Sequence, residues 1–187
     1  SLTGASSNVG NAIALNVLSI PNSGTPTTKA DVTWNSLSIE GYISTSFSGT
    51  IDTSTTGALA LDTGTLGNST GYYIWAIFNP TTATASVLAS TSESSPTMPS
   101  GYTKKRVIGF FRTNASALII GYRQVNQEYV YKPTTTTAAL VKAVTAGAAT
   151  TATSFNLGTT TGSDLVPQTV VEGIWLVVHP LTAAHMT

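Results

Sequence analysis

The sequence predicts an all-β fold, an antiparallel and jelly-roll-like β-sandwich of roughly 8–12 strands. Three observations carry that expectation. Short apolar runs recur about every 8–14 residues with turn residues between them, which is the spacing of sandwiches and barrels. Those runs are rich in Val, Ile, Thr and aromatic residues, which suit a pleated, half-buried surface. The one stretch that suggests a helix, the Ala-rich Leu140–Ala149, carries Thr, Val and Gly that disfavour it.

Residues 1–11 are rich in Ser, Gly and Asn and predict a flexible entry. Residues 12–187 then form a single sandwich domain. Ala12–Ile20 reads as a strand, and Pro21–Thr28, punctuated by Pro21, Gly24 and Pro26, as a loop. Val32–Ile39 is a short strand. Tyr42–Ile51 has the clearest alternation: Ile43, Phe47 and Ile51 share one face, and Ser44, Ser46, Ser48 and Thr50 the other. This pattern fits a half-buried antiparallel strand. Asp52–Thr70 is turn-rich. Tyr72–Phe78 is apolar at every position, which predicts a central strand covered on both faces, and Asn79-Pro80 ends it. Ala85–Ser90 is a further strand, followed by an irregular loop over Thr91–Gly101. Lys105–Thr113 and Ala117–Arg123 read as strands joined by a tight turn at Asn114-Ala115-Ser116. In Glu128–Lys132, Tyr129 and Tyr131 share a face opposite Val130. Pro133–Thr137 (PTTTT) is a low-complexity joint. Beyond it, Ala138–Ala143, Thr151–Leu157 and Thr169–His179 complete the strand set.

Composition narrows the chemistry. Charged residues make up only 9% of the chain, against a usual ~25%. The formal net charge is zero, which suits a protein that works inside an assembly better than a free monomer. The chain has no cysteine, so disulfides, thiolate zinc sites, iron–sulfur clusters and thiol nucleophiles are excluded. The apolar runs are strand-sized, far short of the ~20 residues a membrane-crossing helix needs, and no membrane insertion is expected. The N-terminal Ser-Leu-Thr-Gly has neither a charged region nor an apolar core, so no signal peptide is expected. It also lacks an initiating Met, which suggests a processed chain or part of a longer one.

No catalytic constellation is legible, and the chain is expected not to be an enzyme. A serine hydrolase needs converging Ser, His and acid. The only histidines, His179 and His185, lie near the C-terminus, and no G-x-S-x-G elbow is present. The acids Asp31, Glu40, Asp52, Asp62, Glu93, Glu128, Asp164 and Glu172 are scattered, without the pairing a glycosidase needs. Asp52 and Asp62 bracket a Gly-rich turn, where local turn bonding is the default role. No metal site or cofactor is expected.

The basic cluster is the one strong charge asymmetry. Lys104, Lys105, Arg106, Arg112, Arg123 and Lys132 are interleaved with Tyr102, Phe110, Phe111, Tyr122, Tyr129 and Tyr131. Single-strand nucleic-acid binders combine such charges with stacking rings. Zero net charge argues against nucleic acid here and favours an acidic glycan or an acidic neighbouring subunit. Surface Trp and Tyr also suit sugar stacking. The candidate surface-binding residues are therefore Trp34, Tyr42, Tyr102, Lys104, Lys105 and Arg106, with core packing of Trp34 and Tyr42 as the competing role.

Several short motifs occur in a set order. They are Ala58–Gly64 (ALALDTG), Tyr72–Pro80 (YYIWAIFNP), Val87–Thr91 (VLAST), Met98–Tyr102 (MPSGY), Lys105–Gly109 (KRVIG) and Asp164–Pro167 (DLVP) before Val170–Val178. Together, over about residues 58–178, they resemble a segment of structural proteins of tailed bacteriophages: tail-fibre, tail-spike and other virion-surface proteins. The resemblance implies a non-enzymatic virion component, a tail fibre or spike or a capsid-decoration module, assembled in the host cytoplasm and exposed on the particle. It implies a homo-oligomer, a trimer with apolar strand faces buried between subunits. Other virion proteins and a host cell-surface glycan are the further partners. It supplies no catalytic residues. The alternative reading is a lectin-like carbohydrate-binding module or a depolymerase fragment.

Overall fold

The computed structural model describes residues 14–131. The entry at 1–11, the joint at 133–137, the strands expected beyond it, and His179 and His185 lie outside the described residues.

Ten strands form the described region, with no helix among them. In chain order they are β1 (Ala14–Leu15), β2 (Leu18–Pro21), β3 (Lys29–Ile39), β4 (Tyr42–Thr56), β5 (Ala60–Leu61), β6 (Gly71–Asn79), β7 (Thr84–Ser90), β8 (Lys104–Arg112), β9 (Tyr122–Val125) and β10 (Glu128–Tyr131). All belong to one sheet, ordered β10-β9-β2-β3-β4-β5-β7-β6-β8, with β1 pairing β3 alongside. The sheet is mixed, because β5 runs parallel to both β4 and β7. It curls into a half-barrel.

The all-β class therefore holds, but the purely antiparallel, two-sheet arrangement does not describe these residues. The reason lies in the stretch expected to be only turns. Asp52–Thr70 contains β5, a two-residue strand that joins β4 to β7 and makes one continuous sheet of what would otherwise be two groups.

The β3–β4 hairpin is the longest pairing, in register from Lys29↔Asp52 to Ile39↔Tyr42. Its two-residue turn, Glu40-Gly41, has positive φ at both positions (44° and 90°), matching the twist of the flanking strands. Gly41 accepts that backbone without strain. On β4 the expected alternation fails at one end. Phe47 and Ile51 pack inward, but Ile43 is 51% exposed and Ser44 is buried. Ser46 between them has φ 50°, outside the extended region, so the pleat does not carry its two-residue period across it. Asn16 (φ 54°) similarly divides the strand expected over Ala12–Ile20 into β1 and β2.

The main core lies inside the curl. Trp34, Leu37, Ile39, Ile51, Leu61, Ile74, Phe111 and Tyr122 are among its fully buried side chains. β6 is covered on both faces, as its unbroken apolar run predicts. Tyr72, Ile74, Ala76 and Phe78 join the main core, while Trp75 and Ile77, with Leu88, form a second cluster packed by Tyr73, Met98 and Tyr102.

The ends of the sheet are tied by a side chain. Gln124 on β9 accepts from the Phe110 N–H through Oε1 (3.0 Å), and its Nε2 donates to the Ile108 carbonyl (2.9 Å), so the carboxamide takes the place of a neighbouring peptide group. The β6–β8 register shifts here, with Ile74 opposite Gly109 and Trp75 opposite Val107. This bulge turns the Ile108 carbonyl and Phe110 N–H toward β9. A Cβ at Gly109 would stand 2.7 Å from Gln124 Oε1, so only glycine lets the amide approach.

Candidate functional site

The six residues singled out from sequence do not form one surface. The structure separates them into three places, and alternation along β8 is the main cause. Successive side chains of a strand point to opposite faces, so Lys104 and Arg106 lie on one side and Lys105 on the other.

Trp34 is not a surface residue. It is 1% exposed. Its indole stacks on Phe47 at 4.0 Å between ring centroids, and Nε1 donates to Ser44 Oγ at 3.1 Å. The hairpin register sets Trp34 directly opposite Phe47, and the indole N–H finds its partner inside. Its candidacy for sugar stacking is withdrawn in favour of the core role.

Tyr102 and Lys105 sit on the outer face of β6, where they help fasten the 91–103 loop. Tyr102 packs against the Trp75–Ile77–Leu88 cluster. Lys105 Nζ lies 5.4 Å from the Trp75 ring centroid and donates to the Ser94 carbonyl at 2.9 Å. Trp75 Nε1 donates to the Ser92 carbonyl at 3.2 Å. Asp62 accepts from Ser90 Oγ (2.6 Å) and from the Thr97 N–H (3.0 Å), which ties the loop to the end of β5.

Tyr42, Lys104 and Arg106 come together at one rim of the half-barrel. The Glu40-Gly41 turn brings the tip of the hairpin over the start of β8. Tyr42 is 39% exposed and stacks on Phe78 with centroids 4.9 Å apart. Lys104 Nζ stands 5.9 Å from the Tyr42 centroid and 4.0 Å from Glu40 Oε2. Arg106 Nη1 donates to the Ser38 carbonyl at 2.9 Å, so its charge clamps the hairpin to β8. Ile43, next to Tyr42, is exposed as well. The result is an aromatic platform backed by a buried ring, with a cation and a carboxylate at its edge.

Of the remaining aromatics of the basic segment, Tyr129 and Tyr131 are half-buried against the main core and the other three are internal. Phe110, Phe111 and Tyr122 are buried, and Tyr122 shares a 2.7 Å hydrogen bond with Ser19. Burial pushes the Tyr122 phenol well above its usual range.

The acids outside the rim act locally. Asp31 accepts from Asn22 Nδ2 and from Thr50 Oγ1 (2.6 Å). Asp52 accepts from the Ser54 N–H and Oγ and pairs with Lys29 Nζ at 2.7 Å, which holds its carboxyl near pH 2, below the usual range. Glu93 accepts from the Tyr73 hydroxyl. No group of three or more His, Cys, Asp or Glu that would hold a metal ion occurs among the described residues.

Sequence reasoning missed Phe78 and Glu40 as members of the rim. Glu40 was legible as half of a two-residue turn, but nothing local places that turn beside Lys104. Compared with protein-family models, with curated proteins and with solved structures, the chain matches none of them.

Proposed function

We propose that the protein is a non-enzymatic structural and adhesive module of a virion surface, a tail-fibre, tail-spike or capsid-decoration component of a tailed bacteriophage. It acts through self-association, as a trimer, and through contact with other virion proteins and a host-surface glycan. The class comes from the ordered motifs between Ala58 and Val178. The observation that supports the binding role is the rim platform: Tyr42, stacked on Phe78, is open to solvent beside Ile43, Lys104 and Glu40. Exposed aromatic and aliphatic side chains flanked by charge are the usual makings of a contact surface.

The test is light scattering at micromolar concentration. A trimer supports assembly through such contacts, and a monomer sinks the assembly reading. The lectin-like reading is favoured by Tyr42 alone, since Trp34 is internal. Retention on host-surface polysaccharide that disappears in Tyr42→Ala would support it, and absence of retention for the unaltered protein would remove it. The depolymerase alternative requires a defined cleavage product from purified protein.

A further inference from the structure

The sheet has two terminal strands, β8 and β10, and they differ at their outer edges. On β8 the Gln124 carboxamide occupies the Phe110 N–H and the Ile108 carbonyl. β10 pairs with β9 on one side and with no described strand on the other.

The β9–β10 hairpin fixes which backbone groups face that second side. Its two-residue turn, Asn126-Gln127, closes on the pair Val125↔Glu128, and a turn of this length closes on a pair that exchanges hydrogen bonds. Alternation makes Arg123↔Val130 the next such pair. The N–H and C=O groups of Tyr129 and Tyr131 therefore point away from β9. The side chains divide between the two faces of the sheet. Tyr129 and Tyr131 pack against the main core, with Tyr129 stacked on Tyr122 at 5.3 Å and Tyr131 edge-on to Tyr129 at 4.9 Å. On the opposite face Glu128 is exposed and Val130 is 50% exposed. The core side holds the strand rigid while the other side shows an aliphatic group to solvent.

The sequence of this strand is self-complementary. Residues 128–132 read Glu-Tyr-Val-Tyr-Lys. Turned end for end against itself about Val130, the segment sets Glu against Lys, Tyr against Tyr and Val against Val. In that register Tyr129 of one copy faces Tyr131 of the other, so outward N–H and C=O groups meet and exchange hydrogen bonds. Val130 meets Val130 as the non-hydrogen-bonded pair between them, where side chains stand closest. Other centres fit less well. Centring on Tyr131 sets Tyr129 against Pro133, which has no N–H to give. Centring on Tyr129 sets Glu128 against Val130 and leaves the charge unmatched.

We infer that β10 is a dimerisation edge: two copies of the chain join β10 to β10, antiparallel, about a two-fold axis at Val130. The same short patch then serves both subunits, and one sheet runs through the pair. The contact needs neither the rim platform nor the virion reading. It gives a dimer, or a hexamer where trimers form.

The test uses the full chain, which has no cysteine, so Val130→Cys introduces its only thiol. Facing residues of a non-hydrogen-bonded pair stand about 4.5 Å apart at Cα, within reach of a disulfide. With oxidised glutathione, Val130→Cys is expected to run as a covalent dimer on a non-reducing gel, and Ser48→Cys, at an exposed position on β4, as a monomer. Val130→Lys and Val130→Glu each place like charges at the axis and are expected to halve the mass in light scattering. An equimolar mixture of the two restores it, because Lys then faces Glu. A fall from hexamer to trimer supports the contact equally and leaves the trimer standing. A mass unchanged in Val130→Lys, or cross-linking of Val130→Cys no faster than that of Ser48→Cys, overturns the inference. A trimer insensitive to Val130 would overturn this contact alone, and a monomer of the unaltered protein would overturn the trimer as well.

Discussion

The two faces of β6 bury similar side chains by different means. The inner face (Tyr72, Ile74, Ala76, Phe78) meets side chains delivered by other strands from far away in sequence. The outer face (Tyr73, Trp75, Ile77) is covered by the loop at 91–103, with Leu88 beside it. The inner contacts follow from the curl of the whole sheet. The outer ones depend on a few fasteners: Asp62 to Ser90 and Thr97, Lys105 to Ser94, and Trp75 to Ser92. Inner packing should therefore fail globally and outer packing locally.

The largest expected effect is at Trp34. Trp34→Ala empties a fully buried site and removes the stack on Phe47, and should cost about 5 kcal/mol in denaturant titration. Trp75→Ala on the outer face should cost less, about 3 kcal/mol, because a loop collapses into the space more readily than a sheet does. Equal losses would break the contrast.

Asp62→Asn comes next. It weakens the acceptor shared by Ser90 and Thr97, at a cost of about 1–2 kcal/mol. The effect should appear first as faster proteolysis within the 91–103 loop, with hydrogen exchange of the inner strands unchanged. Simultaneous loss of protection across β3 and β6 would contradict this division.

Tyr42→Ala should change the unfolding free energy by less than about 1 kcal/mol, since the ring is only half covered and leaves no sealed cavity. Its effect should fall instead on self-association or polysaccharide retention.

The smallest effect concerns Asp52, which belongs to neither face. Its carboxyl is held near pH 2 in the folded protein against 3.8 for the free group, by the hydrogen bond from Lys29 and then by those from Ser54. A depressed folded value contributes stability above the unfolded value, and that contribution is lost as pH falls from about 4 to about 2. Asp52→Asn should remove a shallow slope from the acid limb of a stability–pH curve. Both side chains are partly solvated, so the change should shrink further in high salt.

Local pattern made some of this legible. Residues 72–78 announce a strand covered on both sides because no position is polar, and Asn79 closes it by accepting from the Thr81 and Thr82 N–H groups. The Asn114 turn is legible as well, with Asn114 Oδ1 accepting from the Ser116 and Leu118 N–H groups, but the strand expected over Ala117–Arg123 is reduced to a single bridge, Thr113↔Ile119, before β9 begins at Tyr122 and pairs with β2 and β10. Trp34 was readable in principle, since a two-residue turn at Glu40-Gly41 fixes Phe47 as its cross-strand neighbour. The displacement of Ile43 was not, because it follows from a left-handed Ser46 that no residue preference announces. The rim was illegible for a different reason. Tyr42, Phe78 and Lys104 meet only because the sheet curls, and curvature is a property of the whole sheet. β5 escaped notice because two residues in a Gly-rich stretch carry no alternation.

The Gln124 carboxamide has one more consequence. A terminal strand normally offers its unpaired backbone groups as a template on which another chain can add, and natural proteins suppress this with charge. This protein has few charges to spare. By occupying the Phe110 N–H and the Ile108 carbonyl, one amide blunts the growing point of a would-be fibril. In a hydroxyl-rich chain with few charged residues, a neutral side chain thereby covers part of a strand edge where charge would ordinarily stand.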